Sequence, residues 1–181
     1  EYFKGDIKYG NNENKGLIKL NNKDLIPKES YDIVGDFSSA SFIIVAALLS
    51  PESKVTIKNV GLNPTRNGLL KVLALMGADI EIKNVKNICN EESGDILVKS
   101  SNLNGVDIPE DIIPNIIDEI PILSIAAAFA EGKTNIKNAE ELRVKESDRI
   151  NSIAEGLKKL HINHEVFADG LSITGTNGFV D

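Results

Sequence analysis

The period of the hydrophobic pattern changes several times along this chain. Residues 1–34 are rich in Asn, Lys and Gly, with short alternating pieces at 6–9 and 16–20. That pattern predicts two strands joined by a polar turn. After Gly35 the texture shifts. Residues 38–49 are apolar nearly all round, which predicts a buried helix. Pro51 and Ser53 stop it, and residues 54–58 alternate as a strand. Asn63-Pro64 offers an N-cap followed by proline at the first helical position. Leu69, Val72, Leu73 and Met76 then recur at spacings of three and four, the stripe of a helix that Gly77 is placed to end in a left-handed conformation. Strands are predicted at 79–83 and 96–99.

The second half repeats this order. Asp118 precedes an apolar helix over 120–130, closed by Glu131-Gly132, and 134–137 alternates as a strand. A helix from about 144 to 160 carries Ile150, Ile153, Ala154, Leu157 and Leu160 as its core stripe, followed by strands at 162–167 and 171–174. Asp36 and Asp118 stand 82 positions apart, Arg66 and Arg149 stand 83 apart. The chain therefore reads as two copies of helix–strand–helix–strand–strand, each with an acid before the buried helix and an arginine opening the second. A repeat of this length implies stacked α/β units rather than one doubly wound sheet.

Composition narrows the function classes. Apolar content of 41% and charged content of 26% over 181 residues are those of a globular protein with room for one sizeable core or two small ones. Aromatics are 5% and Trp is absent, so aliphatic side chains and Ala must build that core. A net charge of −7 argues against a nucleic-acid or membrane-surface partner held by bulk electrostatics, though a local group of Lys and Arg still suits a small anion. Cys89 is the lone cysteine, which excludes an internal disulfide and fits a cytoplasmic protein. No apolar run is long enough to span a bilayer. The single Met is Met76 and the chain opens on Glu1-Tyr2-Phe3, so it reads as a piece of a longer protein.

Candidate chemistry concentrates in Glu141-Leu142-Arg143-Val144-Lys145-Glu146-Ser147-Asp148-Arg149-Ile150. Placed in the first turn of the last long helix, these charges are either plain capping or an anion grip. Acids favour the positive helix end, while exposed amides with Lys145 and Arg149 suit phosphate or carboxylate. Glu146 between them becomes a proton donor if burial raises its pKa. Asp118, an acid within an apolar run, is either the N-cap of the next helix or a general base for a hydroxyl, and Glu119 is the adjacent alternative. Asp36 or Ser38 and Asn63 are read as helix caps. His161 and His164 lack surrounding Cys or acids, so no metal is expected. Phosphate-binding loops, dinucleotide fingerprints and nucleophile elbows are absent from the sequence.

Five motifs, in order, resemble one family: Gly-Asp-Phe-Ser-Ser-Ala at 35–40, Asn-Pro-Thr-Arg at 63–66, Met-Gly-Ala-Asp at 76–79, Ile-Asp-Glu-Ile-Pro at 117–121 and Glu-Leu-Arg-Val-Lys-Glu-Ser-Asp-Arg at 141–149. The family is 3-phosphoshikimate 1-carboxyvinyltransferase, the enolpyruvylshikimate-phosphate synthases. The resemblance implies an α/β (α+β) fold of repeated βαβαββ units, an inside-out barrel with helices inside and sheets outside. It implies closing strands of an N-terminal domain and a crossover at 1–34, one unit of the C-terminal domain at 35–105 and a second at 106–181, with a third unit missing.

The resemblance further implies transfer of the enolpyruvyl group of phosphoenolpyruvate to the 5-hydroxyl of shikimate 3-phosphate, releasing phosphate. Asp118 matches the family's proton acceptor, Glu146 a proposed proton donor, Lys145 and Glu141 positions at the shikimate phosphate, and Arg149 a phosphoenolpyruvate ligand. No cofactor is expected. The family's N-terminal Lys-Ser and Arg contacts, its Asn-Ala-Gly-Thr segment and its later Asp-His-Arg segment are not in this sequence, so the chain by itself is expected to be inactive. Two rival readings stand beside this one: enolpyruvyl transfer to UDP-N-acetylglucosamine on the same fold, and a non-catalytic module that retains the repeats.

Overall fold

The computed structural model describes residues 7–12, 15–21 and 30–178. Strands β1 (Ile7–Asn12) and β2 (Lys15–Leu20) pair antiparallel, Ile7 opposite Leu20 and Asn12 opposite Lys15. The polar turn expected between them lies in part outside the described residues. Two similar units follow. The first runs α1 (Phe37–Leu49), β3 (Lys54–Gly61), α2 (Gly68–Leu75), β4 (Asp79–Ile88) and β5 (Glu91–Lys99). The second runs α3 (Ile120–Phe129), β6 (Lys133–Ile136), α4 (Arg149–Lys159), β7 (His164–Phe167) and β8 (Gly170–Thr174).

The two three-stranded sheets are ordered alike, β3-β5-β4 and β6-β8-β7, antiparallel throughout with the last strand in the middle. Each unit also opens with a short parallel contact that the hydrophobic period missed. Gly35 bridges Val60, while residues 104 and 107 bridge Glu131 and Asn135. With those contacts counted, each unit is βαβαββ. Isolated single-residue bridges carry no alternation that a hydrophobic period could reveal.

The core lies where the helices meet the inner sheet faces. Ile44, Leu48, Leu69, Val72, Leu73 and Met76 of the first unit are fully buried, as are Ile120, Leu123, Ile150, Leu171 and Ile173 of the second. One such side chain removed from water contributes about 1.5–3 kcal/mol. Helices α1 and α3 touch each other, so the units share one core. Burial of α1 is one-sided rather than complete: Phe42 and Ile43 face outward. Gly77, at φ 92°, ends α2 in the left-handed conformation that the sequence required. The β4–β5 hairpin extends well past 79–83 and 96–99, turning at Cys89 and Asn90, both at positive φ. Among the described residues no helix is long and apolar enough to cross a membrane.

Two helix boundaries differ from the sequence pattern. Asn63-Pro64 does not start α2. The Asn63 side chain accepts from the amide (3.0 Å) and hydroxyl (2.8 Å) of Thr65, closing a local turn, and the helix begins at Gly68. The last helix begins at Arg149 rather than near 144, after a separate 3-10 segment at Glu140–Val144. Leu160, assigned to the core stripe, lies at the C-cap and is 54% exposed.

Candidate active site

Four helix starts come together at one place, each bringing a charged or polar side chain. Asp36 caps α1, accepting from the amide (2.8 Å) and hydroxyl (2.7 Å) of Ser39; these bonds, the hydroxyl first, hold its carboxyl below the usual aspartate range. Ser38 lies in the first turn behind it. Arg66 stands two residues before α2, Asp118 two residues before α3, and Arg149 is the first residue of α4. Gly68 allows this approach: a Cβ there would meet Ile116 Cγ2 at 2.7 Å and the Asn115 side chain at 3.0 Å, on the segment leading to Asp118.

Asp118 is the hub. Its Oδ1 lies 3.3 Å from Arg149 Nη1 and 3.8 Å from Lys145 Nζ, and its Oδ2 lies 3.8 Å from Arg66 Nη2. Lys145 also pairs with Glu141 at 3.1 Å. Arg149 holds Glu146 Oε1 through Nη2 at 2.5 Å and Nε at 3.1 Å. That hydrogen bond is the main cause that pulls the Glu146 carboxyl below its usual range and raises the Arg149 guanidinium. All five residues singled out from the sequence, Asp118, Lys145, Glu146, Arg149 and Glu141, thus meet in one cluster.

Two local expectations are corrected. Asp118 does not cap α3: the cap residue is Glu119, and its side chain makes no capping bond. Lys145 and Glu146 are not in a helical first turn. Asp148 takes the N-cap role instead, accepting from the Asn151 amide at 3.1 Å, which leads the causes that lower its carboxyl. Arg143 pins the segment from the other side, donating to the carbonyls of Phe167 (2.6 Å) and Ala168 (2.7 Å) and pairing with Asp148 at 2.9 Å. Residues 145–147 are thereby held off the helix axis. The burial that was to raise Glu146 is likewise missing, since its side chain is 69% exposed and Arg149 acts in the opposite direction.

Sequence reasoning passed over two members. Arg66 Nη2 donates to Ser38 Oγ at 3.0 Å, and the Ser38 hydroxyl donates to Glu119 Oε1 at 2.5 Å. Both had been absorbed into helix-start readings. The one available hint was the spacing of Arg66 from Arg149, and it misled slightly: the two arginines occupy different positions relative to their helices yet reach the same aspartate.

The cluster lies on an open face. A concavity of about 300 Å³ at the other end of α1, lined by Leu48, Pro51, Leu103 and Phe129, holds no ionisable side chain, so its size says nothing about chemistry. Among the described residues no three His, Cys, Asp or Glu side chains stand close enough to hold a metal. What the cluster offers is Lys145 and Arg149, each held between Asp118 and an exposed glutamate that an anion can displace, and Asp118 itself as a carboxylate for a proton.

Comparison with known proteins identifies the family of the chain. The family model described as EPSP synthase (3-phosphoshikimate 1-carboxyvinyltransferase) matches residues 1–179. A relative from Petrotoga mobilis with the name 3-phosphoshikimate 1-carboxyvinyltransferase is 53% identical over 175 residues, covering 97% of this chain and 40% of its own. One of the same name from Synechococcus is 49% identical over 147 residues, 81% of this chain and 33% of its own. A solved EPSP synthase from Acinetobacter baumannii superposes with a TM-score of 0.87 at 40% identity, covering 98% of this chain and 39% of that one. The chain thus spans about 40% of the length of these relatives. With a family match over nearly every residue and the same α/β architecture in the solved relative, the chain belongs to the EPSP synthase family.

Proposed function

We propose that this chain carries one wall of a site that transfers the enolpyruvyl group of phosphoenolpyruvate to the 5-hydroxyl of shikimate 3-phosphate. The observation that carries the reading is Asp118, a carboxylate with Arg66, Lys145 and Arg149 about it. Asp118 takes the proton of the 5-hydroxyl as its oxygen adds to C2 of phosphoenolpyruvate. The methylene carbon gains a proton in the same addition, giving a tetrahedral intermediate. Loss of phosphate from C2 and of a proton from the new methyl group then regenerates the enol ether. Lys145, backed by Glu141, serves the shikimate phosphate, and Arg149 serves phosphoenolpyruvate.

Glu146 is the donor to the methylene carbon. When an anionic substrate claims Arg149, Glu146 loses the partner that holds its pKa down, and enclosure by the rest of the protein raises it further. Residues 1–34 correspond to closing strands of a first domain and the crossover, and 35–105 and 106–181 to two of three units of a second. A cytoplasmic setting goes with a sequence that holds one cysteine, Cys89, and so no internal disulfide. The relatives described above share the shikimate name, which favours shikimate 3-phosphate over UDP-N-acetylglucosamine as acceptor.

Phosphate release separates the possibilities. Residues 1–181 alone give none above background, whereas a chain of full family length carrying them turns over and loses roughly 100-fold or more in kcat on Asp118→Asn. Turnover by residues 1–181 alone, or full turnover by the Asp118→Asn protein, rejects the reading.

A further inference from the structure

The three cations around Asp118 are tethered differently. Lys145 and Arg149 each divide themselves between Asp118 and an exposed glutamate, Glu141 or Glu146. Arg66 is instead tied inward. Its Nη2 donates to Ser38 Oγ at 3.0 Å while standing 3.8 Å from Asp118 Oδ2. The serine hydroxyl, acting as acceptor and donor at once, passes its own hydrogen to Glu119 Oε1 at 2.5 Å. Glu119 is 2% exposed and immediately precedes α3. A chain of contacts therefore runs from a buried carboxylate through Ser38 and Arg66 to its own sequence neighbour.

Two adjacent carboxylates repel each other, and a cation held near both offsets that repulsion. A guanidinium keeps its charge and a fixed fork of donors, so it can hold one acid in place beside the other. Among the described residues that reach Asp118, Arg66 alone comes from the first unit. Lys145 and Arg149 come from the second, as do Glu119 beside Asp118 and the flanking Glu141 and Glu146.

We propose that Arg66 is the positioning residue for Asp118: anchored through Ser38 to buried Glu119, it keeps the Asp118 carboxylate aimed while Lys145 and Arg149 are engaged by the anionic groups of the substrates. The inference rests on the reading of Asp118 as the base. Arg66 does not touch substrate in this scheme; it acts through the carboxylate.

The test uses a chain of full family length carrying residues 1–181, with Arg66→Met, Arg66→Lys, Ser38→Ala and, as reference, Asp118→Asn. Arg66→Met lowers kcat roughly 10-fold with little change in either KM. Arg66→Lys restores most of the loss, and Ser38→Ala lowers kcat in the same direction by a smaller factor.

Unchanged kcat in Arg66→Met, alongside loss of turnover in Asp118→Asn, overturns the role of Arg66 and leaves the base assignment standing. A raised KM for either substrate at unchanged kcat also overturns it, because Arg66 is then a substrate ligand. If Asp118→Asn keeps its turnover, the base reading fails and the positioning role falls with it. Should Arg66→Met not fold, Ser38→Ala decides alone: an unchanged kcat overturns the role.

Discussion

Arg149 and Asp118, separated by 31 positions in the sequence, meet with Nη1 3.3 Å from Oδ1, and the same guanidinium holds Glu146 at 2.5 Å. One side chain is thus shared between the proposed base and the proposed donor. Carboxyl NMR titration checks this directly: Glu146 titrates below the ordinary glutamate range, and Arg149→Met returns it to that range. Since the folded pKa is the lower one, the stabilisation is present above the ordinary glutamate value and is lost as pH falls through the folded value. Arg149→Met therefore destabilises the chain near neutrality and has no such effect in strong acid.

The cap of α1 gives a second prediction. Asp36→Ala removes two bonds to Ser39 and is expected to destabilise the chain by about 1 kcal/mol at neutral pH. The Asp36 carboxyl is held low in the folded state, so this difference persists above the ordinary aspartate pKa and fades as acid protonates the folded carboxyl. Urea unfolding of both proteins at two pH values measures it; an equal loss in strong acid would assign the effect to something other than the cap.

Leu48 is fully buried near the end of α1, against a core shared by both units. Leu48→Ala is expected to lose about 2–5 kcal/mol, the range for leucine truncation in a packed interior. A chemical denaturation midpoint that barely moves would mean that the surroundings collapse into the space.

Gly68 links stability to the site. Its substitution by Ala drives a Cβ against Ile116 Cγ2 and Asn115, so Gly68→Ala is expected to destabilise by about 1–3 kcal/mol. The same strain falls on the residues leading to Asp118, so the amide resonances of 116–119 move as well. Loss of stability with those resonances in place would place the strain in α2 instead.

The parts legible in the sequence were those written in local signals. Asp36 before an apolar run and Gly77 after a stripe each involve side chains a few residues apart, and the units are recognisable because such local signals recur about 82 positions on. That Asp118, Glu141, Lys145, Glu146 and Arg149 belong together was legible through motif resemblance, but their wiring was not. Ser38 reaches Glu119 across 81 positions and Arg66 reaches Ser38 across 28, and no period encodes such contacts. The misplaced helix starts have a related cause. Asn63 and the run at 145–148 contain good capping residues, yet Thr65 takes up Asn63 and Arg143 ties its neighbourhood to the Phe167 and Ala168 carbonyls. A local side-chain turn in the first case and distant carbonyls in the second prevail over a first helical turn that contributes little by itself.

The meeting of four helix starts also balances charge at short range in a chain whose total is −7. Asp36 and Asp148 answer the partial positive ends of α1 and α4, and Asp118 stands among Arg66, Lys145 and Arg149. At physiological ionic strength fields decay over about 8 Å, so this face projects little net field of either sign beyond its own surface. In the proposed reaction, capture of an anion here is a contact-range event, with selectivity arising from shape and donor placement after arrival rather than from long-range attraction.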